Sequence, residues 1–138
     1  NLRYAEFSGD DADTSDNEAF DPLFFGFTRG FGTWFQGEVA SNYAGPANSG
    51  NDVKRVEFTL APRSDLQLGA QYWDFSSKDD APDLDGQEID IYALWSINDN
   101  FVFSPLVGWH KPEGDDVIAS QGNDDNNLYA QAVLMYFY

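Results

Sequence analysis

The side chains able to do chemistry fall into distinct groups. Arg3, Arg55, Glu38, Glu57, Glu88 and Asp90 lie in stretches where polar and apolar residues alternate. Arg55 and Glu57 bracket Val56, and Glu88 and Asp90 bracket Ile89. Charges at every second position of an extended chain share one side of a sheet. Guanidinium groups placed there, with Arg29 as a further candidate, offer paired donors that match carboxylates. The acids on the same side favour a simpler outcome, a network in which Arg55 pairs with Glu57 and Glu38 and stiffens the wall, because charges withdrawn from water are normally paired. Asp11, Asp13, Asp16 and Glu18 form an oxygen-rich cluster of the kind Ca2+ accepts. Their spacing lacks the turn glycine and the distal bidentate Glu of an EF-hand, and solvated loop charge is the simpler account. The single histidine, His110, shares a strand face with Ser104. Six positions at about 3.3 Å each keep the two about 20 Å apart, too far for a dyad. Ser120 in the following loop is within reach of His110, but nothing marks it as activated. The expectation is therefore no enzyme, with His110 a rim residue.

These groups need strands to position them. Glu88–Ile97 alternates Ile89, Ile91, Ala93 and Trp95 against Glu88, Asp90, Tyr92 and Leu94. Phe101–His110, Leu128–Tyr138, Val53–Ala61, Leu66–Phe75 and Thr33–Tyr43 repeat the period of two, and Leu23–Thr28 and Leu2–Phe7 are shorter examples. That pattern predicts about eight strands and no helix. The connections sort by length. Short turns fall at Arg29–Gly32, Pro62–Asp65 and Asn98–Asn100; long polar loops fall at Ser8–Asp21, Ala44–Asp52, Ser76–Gln87 and Lys111–Asn127. Short turns at one end and long loops at the other, with one apolar and one mixed face per strand, describe an antiparallel up-and-down transmembrane β-barrel, complete or part of a larger one.

Composition agrees. The chain has 138 residues, 7 Lys+Arg against 24 Asp+Glu, a net charge of −17 and no cysteine. Nucleic-acid binding by phosphate neutralisation is excluded, as are disulfides and thiolate chemistry. Aromatic residues make up 17% of the chain, too many for a disordered acidic tail. The acids concentrate in the loops and the rings in the strands. Phe101, Phe103, Trp95, Tyr136 and Tyr138 are expected at one membrane interface and Tyr43, Tyr72 and Trp109 at the other, with Trp34 and Trp73 packed inside.

The last strand, with Ala130, Ala132, Leu134, Tyr136 and Tyr138 on one face, resembles the C-terminal signal of bacterial outer-membrane proteins. The resemblance implies recognition by the barrel-assembly machinery, a periplasmic C-terminus, extracellular acidic loops and contact with outer-membrane lipid and lipopolysaccharide. The runs Phe20–Gly26 (FDPLFFG), Trp34–Glu38 (WFQGE) and Glu88–Asn100 (EIDIYALWSINDN), with the Lys111-Pro112 loop entry, resemble the C-terminal region of the alginate export family. Members are large barrels of about eighteen strands. The resemblance, from Phe20 to Tyr138, implies a channel wall that passes an anionic polysaccharide along a basic lumen. The alternative is a small closed barrel without a pore, since about eight strands enclose only side chains.

Overall fold

The computed structural model describes residues 1–11, 13–18, 50–78 and 81–138. Among them lie strands β1 (Leu2–Glu6), β2 (Asn51–Arg63), β3 (Leu66–Ser77), β4 (Gly86–Ser96) and β5 (Phe101–Pro112), helix α1 (Asp115–Gln121), and strand β6 (Asn127–Tyr136). The strands form one antiparallel six-stranded sheet in the order β1-β2-β3-β4-β5-β6. The alternation predicted for β2 to β6 is present.

β1 pairs directly with β2, Leu2 opposite Val56 and Glu6 opposite Asp52. Alternation fixes which face a residue takes but not which strand lies next to it. The candidate strands Leu23–Thr28 and Thr33–Tyr43, the turn between them, and Arg29, Glu38, Trp34 and Tyr43 lie outside the described residues. Among the described residues the sheet has six strands rather than eight, β1 and β6 are its two edges, and they do not pair with each other.

One expectation needs correction. Helix α1 occupies part of a predicted loop. Its seven residues start after Gly114, carry Asp115 and Asp116 in the first turn, and stop at Gly122. At φ 91° Gly122 adopts the left-handed conformation, and its N–H reaches the Ile118 carbonyl. Acids at the helix start and glycine just past its end are the ordinary terminal signals, but two turns are too short to stand out as periodicity.

From β2 to β6 the connections sort as predicted; the turn Arg29–Gly32 and parts of the loops Ser8–Asp21 and Ala44–Asp52 lie outside the described residues. β2–β3 and β4–β5 close through short turns at one end of the sheet, where the C-terminus also lies. In the second turn the Asn98 carboxamide oxygen accepts the N–H groups of Asn100 and Phe101 at 2.9 and 3.0 Å. The Asn100 side chain ties this turn to the Phe137 carbonyl at 2.8 Å. At the opposite end the long loops clasp one another. The Asp85 carbonyl accepts the N–H groups of Glu113 and Gly114 at 2.8 and 2.9 Å. The Asp83 carboxylate accepts the Asp115 N–H at 2.9 Å, and Asp116 returns an acceptor to the Asp83 N–H at 2.8 Å. Only glycine fits at 114, because a Cβ there would stand 2.3 Å from the Asp83 carbonyl oxygen. Val117 anchors α1 by burial.

The register produces flat rows across the sheet. On one face Leu2, Val56, Tyr72, Ile89, Trp109 and Leu128 are successive partners. Phe58, Ala70, Ile91, Val107 and Ala130 form the next row toward the short turns. One row toward the loops, the same face turns polar, with Tyr4, Lys54, Asp74, Gln87 and Lys111. The apolar rows are exposed: Phe58 is 70% accessible, Ile91 53% and Leu134 61%. The opposite face is buried, and it carries charge. Arg55, Gln71, Glu88, Asp90, Ser104 and His110 are buried beside Trp73, Tyr92 and Leu106. The buried apolar cluster is small, with Val53, Trp73 and Phe75 packed by Phe7. Water-soluble sheets bury the apolar side; this one buries the polar side.

Candidate functional site: a buried polar belt

The predicted charged residues meet in two adjacent rows of the buried face. Arg3, Arg55, Trp73, Glu88, His110 and Asn127 are successive cross-strand partners. Glu57, Gln71, Asp90, Gly108 and Tyr129 form the row below. The period of two put each charge on this face, and the register brought the charges together.

Glu57 is the node. Its carboxylate accepts the Arg55 Nη2–H at 3.2 Å, the Gln71 Nε2–H at 2.8 Å and the Tyr92 hydroxyl at 2.8 Å. The expected Arg55–Glu57 pair is therefore present, while Glu38 lies outside the described residues. Beside it the Trp73 indole N–H lies 3.0 Å from Asp90 Oδ2 and 3.3 Å from Gln71 Oε1. The Arg55 guanidinium carbon sits 5.3 Å from the Trp73 ring centroid, within cation–π range. Arg3 stands directly across from Arg55. Opposed like charges are unfavourable in a strand pair, and Glu57 offsets the Arg55 charge in a belt that also carries Glu88 and Asp90.

The reach of Tyr92 depends on a glycine. Gly69 is its cross-strand partner, and a Cβ at 69 would lie 2.2 Å from Tyr92 Cζ. The ring lies flat over Gly69, and its hydroxyl arrives at Glu57. Glycine inside a strand signals such close approach in a sequence. Gln71 and Tyr92 carry no such sign, since their role comes from the register.

His110 requires a correction. It was expected at the rim, but it is 1% exposed and faces Glu88 across the strand pair. A loop-proximal strand end looks like a rim in sequence, while α1 and its loop, which follow directly, were read as open coil. Ser104, also buried, donates to the Ala93 carbonyl at 3.3 Å, on a row well below His110. The belt therefore brings carboxylate, guanidinium, amide and phenol groups into hydrogen-bonding contact, and Ser104 is turned to the Ala93 carbonyl rather than to His110.

The acidic group near the N-terminus is arranged otherwise. The Asp11 carboxylate accepts the Asp13 N–H at 2.9 Å, and the Asp10 carboxylate accepts the Glu18 N–H at 3.0 Å. The first is a turn-forming bond and the second closes a longer loop. Among the described residues no three His, Asp or Glu side chains converge on a metal-sized centre, so Asp11, Asp13, Asp16 and Glu18 are not gathered into one. At the loop end of the exposed face Lys78 bonds Glu6 at 2.7 Å, and that hydrogen bond holds its ammonium above the ordinary lysine pKa. Compared with protein-family models, curated proteins and solved structures, the chain matches none.

Proposed function

We propose that the sheet is part of the wall of a bacterial outer-membrane β-barrel, and that its polar belt faces the lumen of a channel for anionic solutes. The observation that carries this reading is the inversion of the two faces. An exposed face lined by Phe58, Leu60, Ile89, Ile91, Trp95, Trp109 and Leu134 is far beyond the scattered apolar residues of a soluble surface. The height fits as well. From Trp109 to Phe101 β5 rises about 26 Å at about 3.3 Å per residue, which a tilt of about 40° reduces to about 20 Å, close to the roughly 25 Å apolar band of such barrels. Trp95 pairs with Phe103 and Phe101 with Tyr136 at one border, while Tyr72 and Trp109 flank Ile89 at the other, the places of interfacial girdles. In this reading the short turns and C-terminus are periplasmic, the acidic loops face outward, and the final strand is the segment presented to the barrel-assembly machinery. Arg3 and Arg55 are the basic residues of the belt that a carboxylated chain, such as the uronate polymer suggested by the alginate-export resemblance, would pass in such a lumen.

One observation favours a second reading within the same membrane assignment. Arg55, Trp73, Glu88 and Asp90 are each 2% exposed or less, as in a small barrel filled by its own side chains. Conductance separates the two. The full chain is inserted into vesicles, checked by flotation, and fused to a planar bilayer. Stepwise conductance, with anion preference reduced in Arg55→Ala, supports the channel. A floating protein without conductance supports the filled barrel. A protein that does not float refutes the membrane reading altogether.

A further inference from the structure

A groove of about 190 Å3 opens on the exposed face where its apolar band meets the polar row. It is lined by Tyr72, Ile89 and Trp109, successive partners in one cross-sheet row, and by Glu88, His110 and Asn126 beside them. Neighbouring strands lie about 4.8 Å apart, so the two ring-bearing strands stand about 10 Å apart, wide enough for a hydrocarbon chain between the rings. The lip consists of Gln87 and Lys111, themselves cross-strand partners one row closer to the loops. Both donors converge on one carboxylate: Lys111 Nζ lies 2.5 Å from Glu113 Oε1, and Gln87 Nε2 lies 3.5 Å from each Glu113 oxygen. The mouth is thus already arranged around an oxyanion, supplied by the chain itself. That occupant is weakly held, since the Lys111 and Glu113 side chains are 57% and 38% exposed and exposed ion pairs contribute little.

We propose that this groove seats an acyl chain of a phosphorylated outer-leaflet lipid, whose phosphate replaces the Glu113 carboxylate on Lys111 and Gln87. The proposal rests on the membrane reading above and names a ligand for the face that reading turns toward lipid. Complementarity of charge and of polarity selects the occupant. The row of Tyr72, Ile89 and Trp109 is apolar, two of the three are rings of the kind that sit at headgroup depth, and the lip presents a cation and an amide donor where a headgroup would lie. A free anion would use only the lip, and a bare hydrocarbon only that row. Glu113 acts as a displaceable gate, so the site discriminates against weakly charged headgroups.

The test uses the full chain refolded from urea into detergent micelles, which removes carried-over lipid. It is titrated with phosphorylated lipid A, with the same lipid dephosphorylated, and with inorganic phosphate, and bound lipid is counted by native mass spectrometry. One lipid A is expected to bind saturably. Lys111→Glu weakens it by about fivefold or more, from the contribution of a single cation near a membrane surface. Glu113→Gln tightens it, and Ile89→Trp, which fills the groove, abolishes it. Dephosphorylated lipid and free phosphate bind far more weakly than lipid A. Binding that is unchanged in Lys111→Glu and Ile89→Trp overturns the proposal, as does equal binding of the dephosphorylated lipid. Lys111 is exposed, so its variant reports even where Ile89→Trp folds poorly. Vesicle flotation is measured in parallel: a floating protein without saturable binding loses the site alone, and a protein that does not float loses the membrane reading and the site with it.

Discussion

Gly69→Ala adds one methyl group, and the structure gives the consequence directly. The new Cβ would lie 2.2 Å from Tyr92 Cζ, 2.3 Å from Cε1 and 2.6 Å from the hydroxyl oxygen. Ordinary carbon contacts begin near 3.4 Å, so the ring has to retreat by about 1.2 Å. Tyr92 is 4% exposed, which leaves it little room. A shift of that size takes its hydroxyl from 2.8 Å off Glu57 to beyond hydrogen-bonding range. Losing a hydrogen bond to a carboxylate costs about 1.5–3 kcal/mol, and overpacking adds about 1–3 kcal/mol. Replacing a strand glycine by alanine returns about 0.5–1 kcal/mol of backbone entropy. The net expectation is a loss of about 1.5–5.5 kcal/mol. The assay is urea unfolding in lipid vesicles, read as a shift in midpoint at constant slope, for Gly69→Ala, Tyr92→Ala and the double variant. If Tyr92 is the cause, Gly69→Ala becomes neutral or slightly stabilising once Tyr92 is alanine. An equal loss in both backgrounds, or no loss in the parent, would refute the assignment of Gly69 as the seat of the Tyr92 ring.

Further predictions follow from the faces and the turns. Ile91→Arg places a charge mid-band and is expected to cost about 2–4 kcal/mol in vesicles, whereas Ile89→Arg, one row nearer the interface, costs about 0–1 kcal/mol; on a water-exposed face neither would matter. Comparing the two unfolding midpoints checks this. In the β2–β3 turn, burial works to raise the Asp65 pKa, but hydrogen bonds from Arg63 and Trp95 hold the carboxyl below its ordinary value. A depressed carboxyl stabilises the fold above its unfolded pKa and loses that contribution as pH falls through the folded one. Asp65→Asn should therefore lower the urea midpoint at about pH 7 and lower it by progressively less as the pH falls below the ordinary carboxyl range, and an effect that does not change with pH would contradict the assigned pair.

Which parts of this were legible in the sequence follows from what alternation encodes. Ile89, Ile91 and Trp95 against Glu88, Asp90 and Tyr92 give the faces of β4 without ambiguity, because a one-residue slip exchanges every side chain. The turn at Asn98–Asn100 and the sorting of loops by length gave the antiparallel order from β2 onward. The pairing of β1 with β2 was not legible, since strand neighbours are a long-range choice and a strand of five residues carries little pattern of its own. The Arg55–Glu57 pair could be read because both residues lie on one strand. Gln71 and Tyr92 could not, because their convergence on Glu57 requires the β2–β3–β4 register and the space left by Gly69. His110 was misplaced because its burial depends on what lies above the strand end, and the short helix there was read as coil.

The central claim is that the exposed apolar face meets lipid and the polar face does not. The chain has no cysteine, so single cysteines can be spin-labelled without a background. The most direct measurement is a scan along β6 in vesicles, from Tyr129 to Leu134, recording relaxation by oxygen and by a water-soluble nickel chelate at each label. The account predicts alternation with a period of two, with Ala130, Ala132 and Leu134 open to oxygen and shielded from the chelate, and Tyr129, Gln131 and Val133 showing the reverse bias. Chelate access at Ala130, Ala132 and Leu134 equal to or greater than at their neighbours would contradict it.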